Sequence, residues 1–190
     1  MPLLSKFLTQ ARLAQVSGHM GRKILDIGCG YGELLEHLGP DVDSVVLVDR
    51  SPERQPRVEE KLAKQSVRGR FVQGDIEQGN FALTRASFDT VVMAALLEHL
   101  KLPGDALREI QRLLEPGGRL LLTTPTPLGG WIHKITSYLG LTYREAAKEH
   151  ERFYGKRSLT SLLELHGFEV QVFKPFLFGL NQFVVARKKG

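Results

Sequence analysis

The chain has 190 residues, a formal net charge of +5 and a single cysteine, Cys29. One cysteine excludes a disulfide framework, no apolar run approaches the ~20 residues of a membrane-crossing helix, and the length suits one domain with a substantial core. Residues 1–20 lack the charged start, apolar centre and small-residue cleavage site of a signal peptide, so a cytoplasmic location is the expectation. The charge is unevenly placed: residues 1–130 hold 16 Lys plus Arg against 16 Asp plus Glu, and residues 131–190 hold 10 against 5. A basic C-terminal part fits an anionic substrate, a nucleic acid, an acidic membrane face or simply a solvated surface.

In chain order, Pro2–Val16 comes first, with Leu3, Leu4, Phe7, Leu8, Ala11 and Leu13 near helical spacing. Its basic residues are Lys6 and Arg12, too few to favour anionic lipid, and it reads as a core-packing helix or a lid. A buried strand over 23–27 then runs into a glycine-rich turn within Ile24–Gly32, ILDIGCGYG. Gly28, Gly30 and Gly32 permit positive φ and a close approach of backbone to a ligand. A short helix from Glu33 to Leu38 is expected to offer free N–H groups at that turn.

The spacing departs from the dinucleotide fingerprint, because position 33 is Glu and the extra glycine stands at 32. Glu33 would repel a phosphate at the helix start, and Asp26 adds a second negative charge, so a ligand with a cationic end suits the turn better than a diphosphate. A second apolar run closes at Asp49, where an acid can accept both hydroxyls of a ribose. A third strand over 69–73 leads into Gly74-Asp75-Ile76. The three acids Asp26, Asp49 and Asp75 are therefore expected at one crevice.

Further strands are predicted over 88–93 and 119–124, with helices over Glu53–Gln65 and Asp105–Leu114, the latter carrying Ala106, Leu107, Ile110, Leu113 and Leu114 on one side. Pro116-Gly117-Gly118 turns that helix into the fifth strand. Residues 126–157 contain glycines, Trp131, Tyr138, Tyr143 and a charged run, Arg144–Arg152. Ser158 is placed to cap a helix that Gly167 ends. Two last strands, Phe168–Phe173 and Gln182–Arg187, would form a hairpin around Gly179 and Asn181. Strands alternating with helices indicate βαβ units and a parallel sheet.

The glycine turn, Asp49, FVQGDI (Phe71–Ile76), FDTVVM (Phe88–Met93) and LEPGGRLLLTTP (Leu114–Pro125), in this order and spacing, resemble the class I S-adenosylmethionine-dependent methyltransferases. The likeness is good over Lys23–Pro125 and looser elsewhere. It implies an α/β fold: a Rossmann-like, mostly parallel seven-stranded sheet whose seventh strand is antiparallel, with helices on both faces. It implies S-adenosyl-L-methionine as cofactor, with Gly28, Cys29, Gly30 and Gly32 against its methionine part and Asp26 near its ammonium. By the same resemblance Asp49, with Arg50 beside it, takes the ribose diol, Gly74, Asp75 and Ile76 take the adenine, and Met93 and Ala94 lie near the sulfonium. The chain divides into a helix or lid over 1–20, a cofactor-binding core over 21–125, and an acceptor region with the hairpin over 126–190, all in a single methyltransferase domain.

Methyl transfer from a sulfonium is an in-line displacement, in which positioning supplies much of the rate. An oxygen or nitrogen acceptor also gives up a proton, which directs attention to histidines. His99, in LLEHL after the fourth strand, and His150, in KEHERFYGKRSL, are the candidates for catalytic roles; the segment with His150 and Phe153 resembles one in small-molecule methyltransferases of quinone biosynthesis. His99 also suits a packing role, and Cys29 reads as a small residue filling a tight loop. No metal site is expected. The expected partner is a small-molecule acceptor, an anionic one fitting the basic C-terminal part. A nucleic-acid methyltransferase is disfavoured because MAALLE replaces an Asn/Asp-Pro-Pro-Tyr/Phe segment after the fourth strand. A nucleic-acid or protein acceptor and a noncatalytic cofactor-binding role stay open as alternatives.

Overall fold

The computed structural model describes residues 3–79, 82–130 and 152–190. Seven strands are present among them: β1 Lys23–Ile27, β2 Ser44–Asp49, β3 Arg68–Gln73, β4 Phe88–Ala94, β5 Leu114–Pro125, β6 Phe168–Phe176 and β7 Asn181–Lys188. They form one sheet in the order β3-β2-β1-β4-β5-β7-β6, in which β7 runs antiparallel to both its neighbours and the other six strands share one direction. The chain winds outward from β1 to β3, then returns to place β4 on the other side of β1. The strand order therefore reverses between β1 and β4, the position where open α/β sheets leave a crevice at the carboxyl ends of their strands.

The apolar runs are continuous because both sheet faces are covered. Along each central strand, successive residues enter opposite cores, as the two-residue period of a strand requires. Leu25, Val48, Val91, Met93, Leu120, Leu122 and Val184 join one core; Ile24, Val45, Leu47, Val92, Leu121, Phe183 and Val185 join the other. Helices α3 (Pro103–Leu113) and α4 (Lys156–Leu165) pack on the first face through Leu107, Ile110, Leu159 and Leu163. Helices α1 (Leu3–Ser17) and α2 (Gln55–Leu62) cover the second through Leu13, Val16 and Val58. Each fully buried leucine contributes about 1.5–3 kcal/mol.

Several local expectations are corrected. Glu33–His37 is a single 3₁₀ segment, and Pro52–Arg54 forms a 3₁₀ turn before α2. Strand β5 begins at Leu114 and absorbs Pro116-Gly117-Gly118 as a bulge, since Phe88 pairs with Leu114 and Thr90 with Arg119. Gly117 makes this possible with φ +73°. Ser158 lies inside α4, whose N-cap is Gly155, and its hydroxyl donates to the Gly155 carbonyl at 3.0 Å. Asn181 belongs to β7 and is buried; the turn before it is Leu177-Phe178-Gly179, all at positive φ. In α1 the buried side chains are Leu13 and Val16, while Phe7 stays 59% exposed.

Candidate functional site

The glycine turn leaves β1 at Gly28, with φ +72°, +58° and +73° at Gly28, Gly30 and Gly32. A Cβ on Gly28 would meet both Cδ atoms of Leu96 at 3.1 Å, so the turn is also close-packed against the loop after β4. Its amides are not free. Gly28 and Cys29 donate to the Val48 carbonyl at 2.9 and 3.0 Å, Gly32 donates to the Cys29 carbonyl at 2.9 Å, Gly30 donates to Asp49 Oδ2 at 3.0 Å, and Tyr31 donates to Glu33 Oε2 at 3.1 Å. Neighbouring strand and loop groups thus satisfy the turn's own five amides, and in the helix that follows Leu35 N–H donates to the Gly32 carbonyl at 3.2 Å.

Two adjoining cavities open on this turn. One, of about 270 Å³, is lined by Val48, Asp49, Arg50, Gly74, Asp75, Ile76, Glu77, His99 and Leu100 among others. The other, of about 440 Å³, is lined by Thr9, Arg12 and Leu13 of α1 together with Asp26, Cys29, Gly30, Tyr31 and Ala94. Gly28, Arg54 and Ala95 line both. The three strand-end acids are thus shared out, with Asp49 and Asp75 in the first cavity and Asp26 in the second.

Each acid has a distinct environment. Asp26 is buried at 4% exposure on the sheet face covered by α1 and α2, and burial pushes its carboxyl up to about 8, with Glu33 and Asp49 adding to the effect. Asp49 accepts from Gly30 N–H and Arg54 Nη1 on Oδ2, at 3.0 and 2.8 Å, and from Ser51 N–H on Oδ1 at 3.0 Å. Asp75 Oδ1 accepts the Glu77 N–H at 3.0 Å, and the Glu77 carboxylate accepts the Leu102 N–H, which ties the loop after β3 to the start of α3.

The remaining expected positions fall as follows. Arg50, Gly74 and Ile76 line the first cavity and Ala94 the second, whereas Met93 is fully buried in the core behind the strand end and lines neither. Burial raises the Cys29 thiol, which with its tight loop position makes it a packing group. His99 lines the cavity of Asp49 and Asp75, on the side away from Asp26. His150, His133, Trp131, Tyr138 and Tyr143 lie outside the described residues.

Sequence reasoning missed two arginines. Arg12 reaches from α1 to donate its Nε to Asn181 Oδ1 at 3.1 Å; burial pushes its guanidinium down and Glu98 opposes that shift. Glu98 is itself buried and accepts from the Thr124 hydroxyl at 2.9 Å. The available signal was position: Arg12 stands one turn before Val16 and next to Leu13, on the buried side of α1. Arg54 stands between the cavities, its guanidinium carbon 5.6 Å from the Tyr31 ring centroid.

The methyltransferase domain family matches residues 4–171. The chain belongs to that family. It is 36% identical over 107 residues to a mitochondrial ubiquinone biosynthesis O-methyltransferase of Schizosaccharomyces pombe, covering 55% of this chain and 38% of that one. It is also 36% identical over 109 residues to a malonyl-[acyl-carrier protein] O-methyltransferase of a Paenibacillus strain, covering 55% and 39%. The chain thus spans about two fifths of the length of these relatives. An S-adenosylmethionine-dependent methyltransferase from Mesorhizobium loti shares the fold at 18% identity, with a TM-score of 0.70 over 94% of this chain and 96% of that one. Among the described residues, no helix is long and apolar enough to cross a membrane.

Proposed function

We propose that this chain is an S-adenosylmethionine-dependent methyltransferase with a small-molecule acceptor. The observation that carries the reading is where the three strand-end acids fall along the two adjoining cavities: Asp49 and Asp75 line one, and Asp26 lines the other with Arg12. Asp75, with Gly74 and Ile76, would hold the adenine; Asp49, with Arg50 beside it, would hold the ribose diol. Asp26, a buried carboxyl that a facing ammonium would favour in its ionised form, and Arg12, a guanidinium lining the same cavity, suit the ammonium and carboxylate of an amino-acid end. The satisfied amides of the glycine turn support this over a diphosphate, which needs free N–H donors.

When bound, the cofactor supplies an electrophilic methyl group on its sulfonium. The chain's own contribution is placement and exclusion of water. Helix α1 covers the second cavity, and the loop of Ala94 and Ala95 supplies small side chains where the two cavities meet. The loop after β4, the carboxyl end of β5 and the amino end of β7 present Glu98, Thr124 and Asn181 beside Arg12, and Arg152–Tyr154 returns over them, with Arg152 N–H donating to the Glu98 carbonyl at 3.3 Å and Gln182 Nε2 donating to the Tyr154 carbonyl at 2.6 Å. That rim would receive the acceptor. The two relatives are named for oxygen methylation, which supports an oxygen acceptor; His150 would take its proton, and the basic residues after 130 would favour an anionic compound.

Calorimetric titration with S-adenosylmethionine, S-adenosylhomocysteine and NAD tests the reading. Binding of the two sulfur nucleotides and none of NAD is expected; failure of both sulfur nucleotides to bind refutes it. Asp49→Ala should weaken S-adenosylhomocysteine by about 1.5–3 kcal/mol, the value of hydrogen bonds to a charged group. Unchanged affinity would remove Asp49 from the ribose.

A further inference from the structure

A carboxylate offers about four lone-pair positions. The chain's own donors take three of those on Asp49: Gly30 N–H and Arg54 Nη1 share Oδ2, and Ser51 N–H uses Oδ1. A ribose diol brings two more hydrogen-bond donors, so one present donor must leave. The Gly30 and Ser51 amides belong to turns fixed on β2: Gly28 and Cys29, just before Gly30, are held by the Val48 carbonyl, and Ser51 follows Asp49 by two residues. Arg54 is a long side chain, about one-third exposed, and can move without disturbing the backbone.

Arg54 also occupies a strategic place. Of the three residues common to both cavities, Gly28 and Ala95 are small and Arg54 alone is large. A ligand that fills both cavities passes its guanidinium. The same guanidinium lies over the half-exposed Tyr31 ring while it pairs with Asp49, and the ring face attracts a cation there whether or not the ion pair is made.

Resting on the cofactor reading above, we propose that Arg54 is the gate of the ribose site: its guanidinium, paired with Asp49 Oδ2, yields that position to the ribose diol and keeps its place over Tyr31. Arg54 is thereby a positioning residue that sets how strongly the site selects for a complete diol. It pairs with a buried carboxylate and disfavours every ligand that grips both oxygens. A ligand with one hydroxyl uses the remaining position on Oδ1 and leaves the ion pair intact.

The test uses neutral ligands, so that loss of the arginine charge does not itself change their attraction. 5′-Methylthioadenosine carries the diol; its 2′-deoxy analogue lacks one hydroxyl. Affinities of both for the full chain and for Arg54→Met and Arg54→Gln are measured by calorimetry, with thermal melts confirming that each variant is folded. Release of a partly exposed charged pair predicts that both variants bind methylthioadenosine about five- to tenfold tighter while the deoxy analogue changes less than about twofold. Equal changes for the two ligands, or weaker binding of the diol ligand, would overturn the gate. If wild type binds S-adenosylhomocysteine and methylthioadenosine but shows no such selectivity, only the gate fails; if it binds neither, the cofactor reading has failed first.

Discussion

Substituting Asn for Asp26 removes a titrating acid with little change of shape, and its effect on stability depends on pH in a direction the site dictates. The folded carboxyl is pushed up to about 8 from an ordinary 3.8, first by burial and then by Glu33 and Asp49. A raised carboxyl means that the folded chain retains a proton that the unfolded chain releases. Its contribution is therefore complete below pH 3.8 and is lost as pH climbs toward 8. Each unit inside that window is worth ~1.4 kcal/mol, with the slope fading near the folded value, so wild type loses about 2 kcal/mol between pH 6 and 8 that the Asn variant does not. For a chain of this size that is a relative shift in Tm of about 4–8 °C. Thermal melts of both proteins across pH 6–8 measure it. Asp26 is the one titrating group that differs between the two proteins, and any fixed offset from the amide is the same at every pH. Parallel pH profiles for the two proteins would refute the argument. Saturating S-adenosylhomocysteine, whose ammonium favours the ionised carboxylate, should flatten the difference.

Two further outcomes follow from the amino-acid end and the acceptor rim. Arg12→Ala should weaken S-adenosylhomocysteine about ten- to a hundredfold, as expected for a lost bond to a carboxylate, and leave 5′-methylthioadenosine within about twofold by calorimetry; an equal loss for both would assign Arg12 to seating α1 instead. His150→Ala, assayed with radiolabelled methyl donor against a metabolite set, should lower turnover about 10²- to 10⁴-fold and remove a near-neutral limb from the pH profile, and turnover at the native rate would exclude His150 as the base.

The central strands were legible because each one satisfies two cores at once. Ile24 and Leu25, or Leu121 and Leu122, face opposite sides of the sheet, so the sequence shows an unbroken apolar run that ends where the strand ends. Asp26 and Asp49 were legible for the complementary reason, since a carboxylate closing such a run is buried next to a loop. What sequence could not show was where long charged side chains go. Arg12 meets Asn181, 169 positions away, and its destination depends on how α1 lies across the sheet. Arg54 is five positions from Asp49, yet pairing with it requires the 3₁₀ turn at Pro52 that folds it back over the strand end. The bulge at Pro116–Gly118 was likewise hidden, because a Pro-Gly-Gly sequence ends a helix equally well whether the next strand starts before or after it.

The glycine turn shows most clearly how structure alters a sequence argument while keeping its result. Glycines before a helix suggest a cradle of backbone donors, and the objection to a phosphate rested on the negative charge of Glu33 and Asp26. In the folded chain the objection is stronger and different in kind. The five amides from Gly28 to Gly32 are committed to Val48, Asp49, Cys29 and Glu33, so an anion there would have to break bonds within the fold as well as face the carboxylates. Gly30 N–H is the instructive case: by donating to Asp49 it fixes the carboxylate that faces the proposed ribose site. Recognition at this turn thus passes from backbone amides to side-chain carboxylates, which favours ligands that bring their own donors and positive charge. A sugar diol and an ammonium meet that demand; a pyrophosphate meets neither part of it.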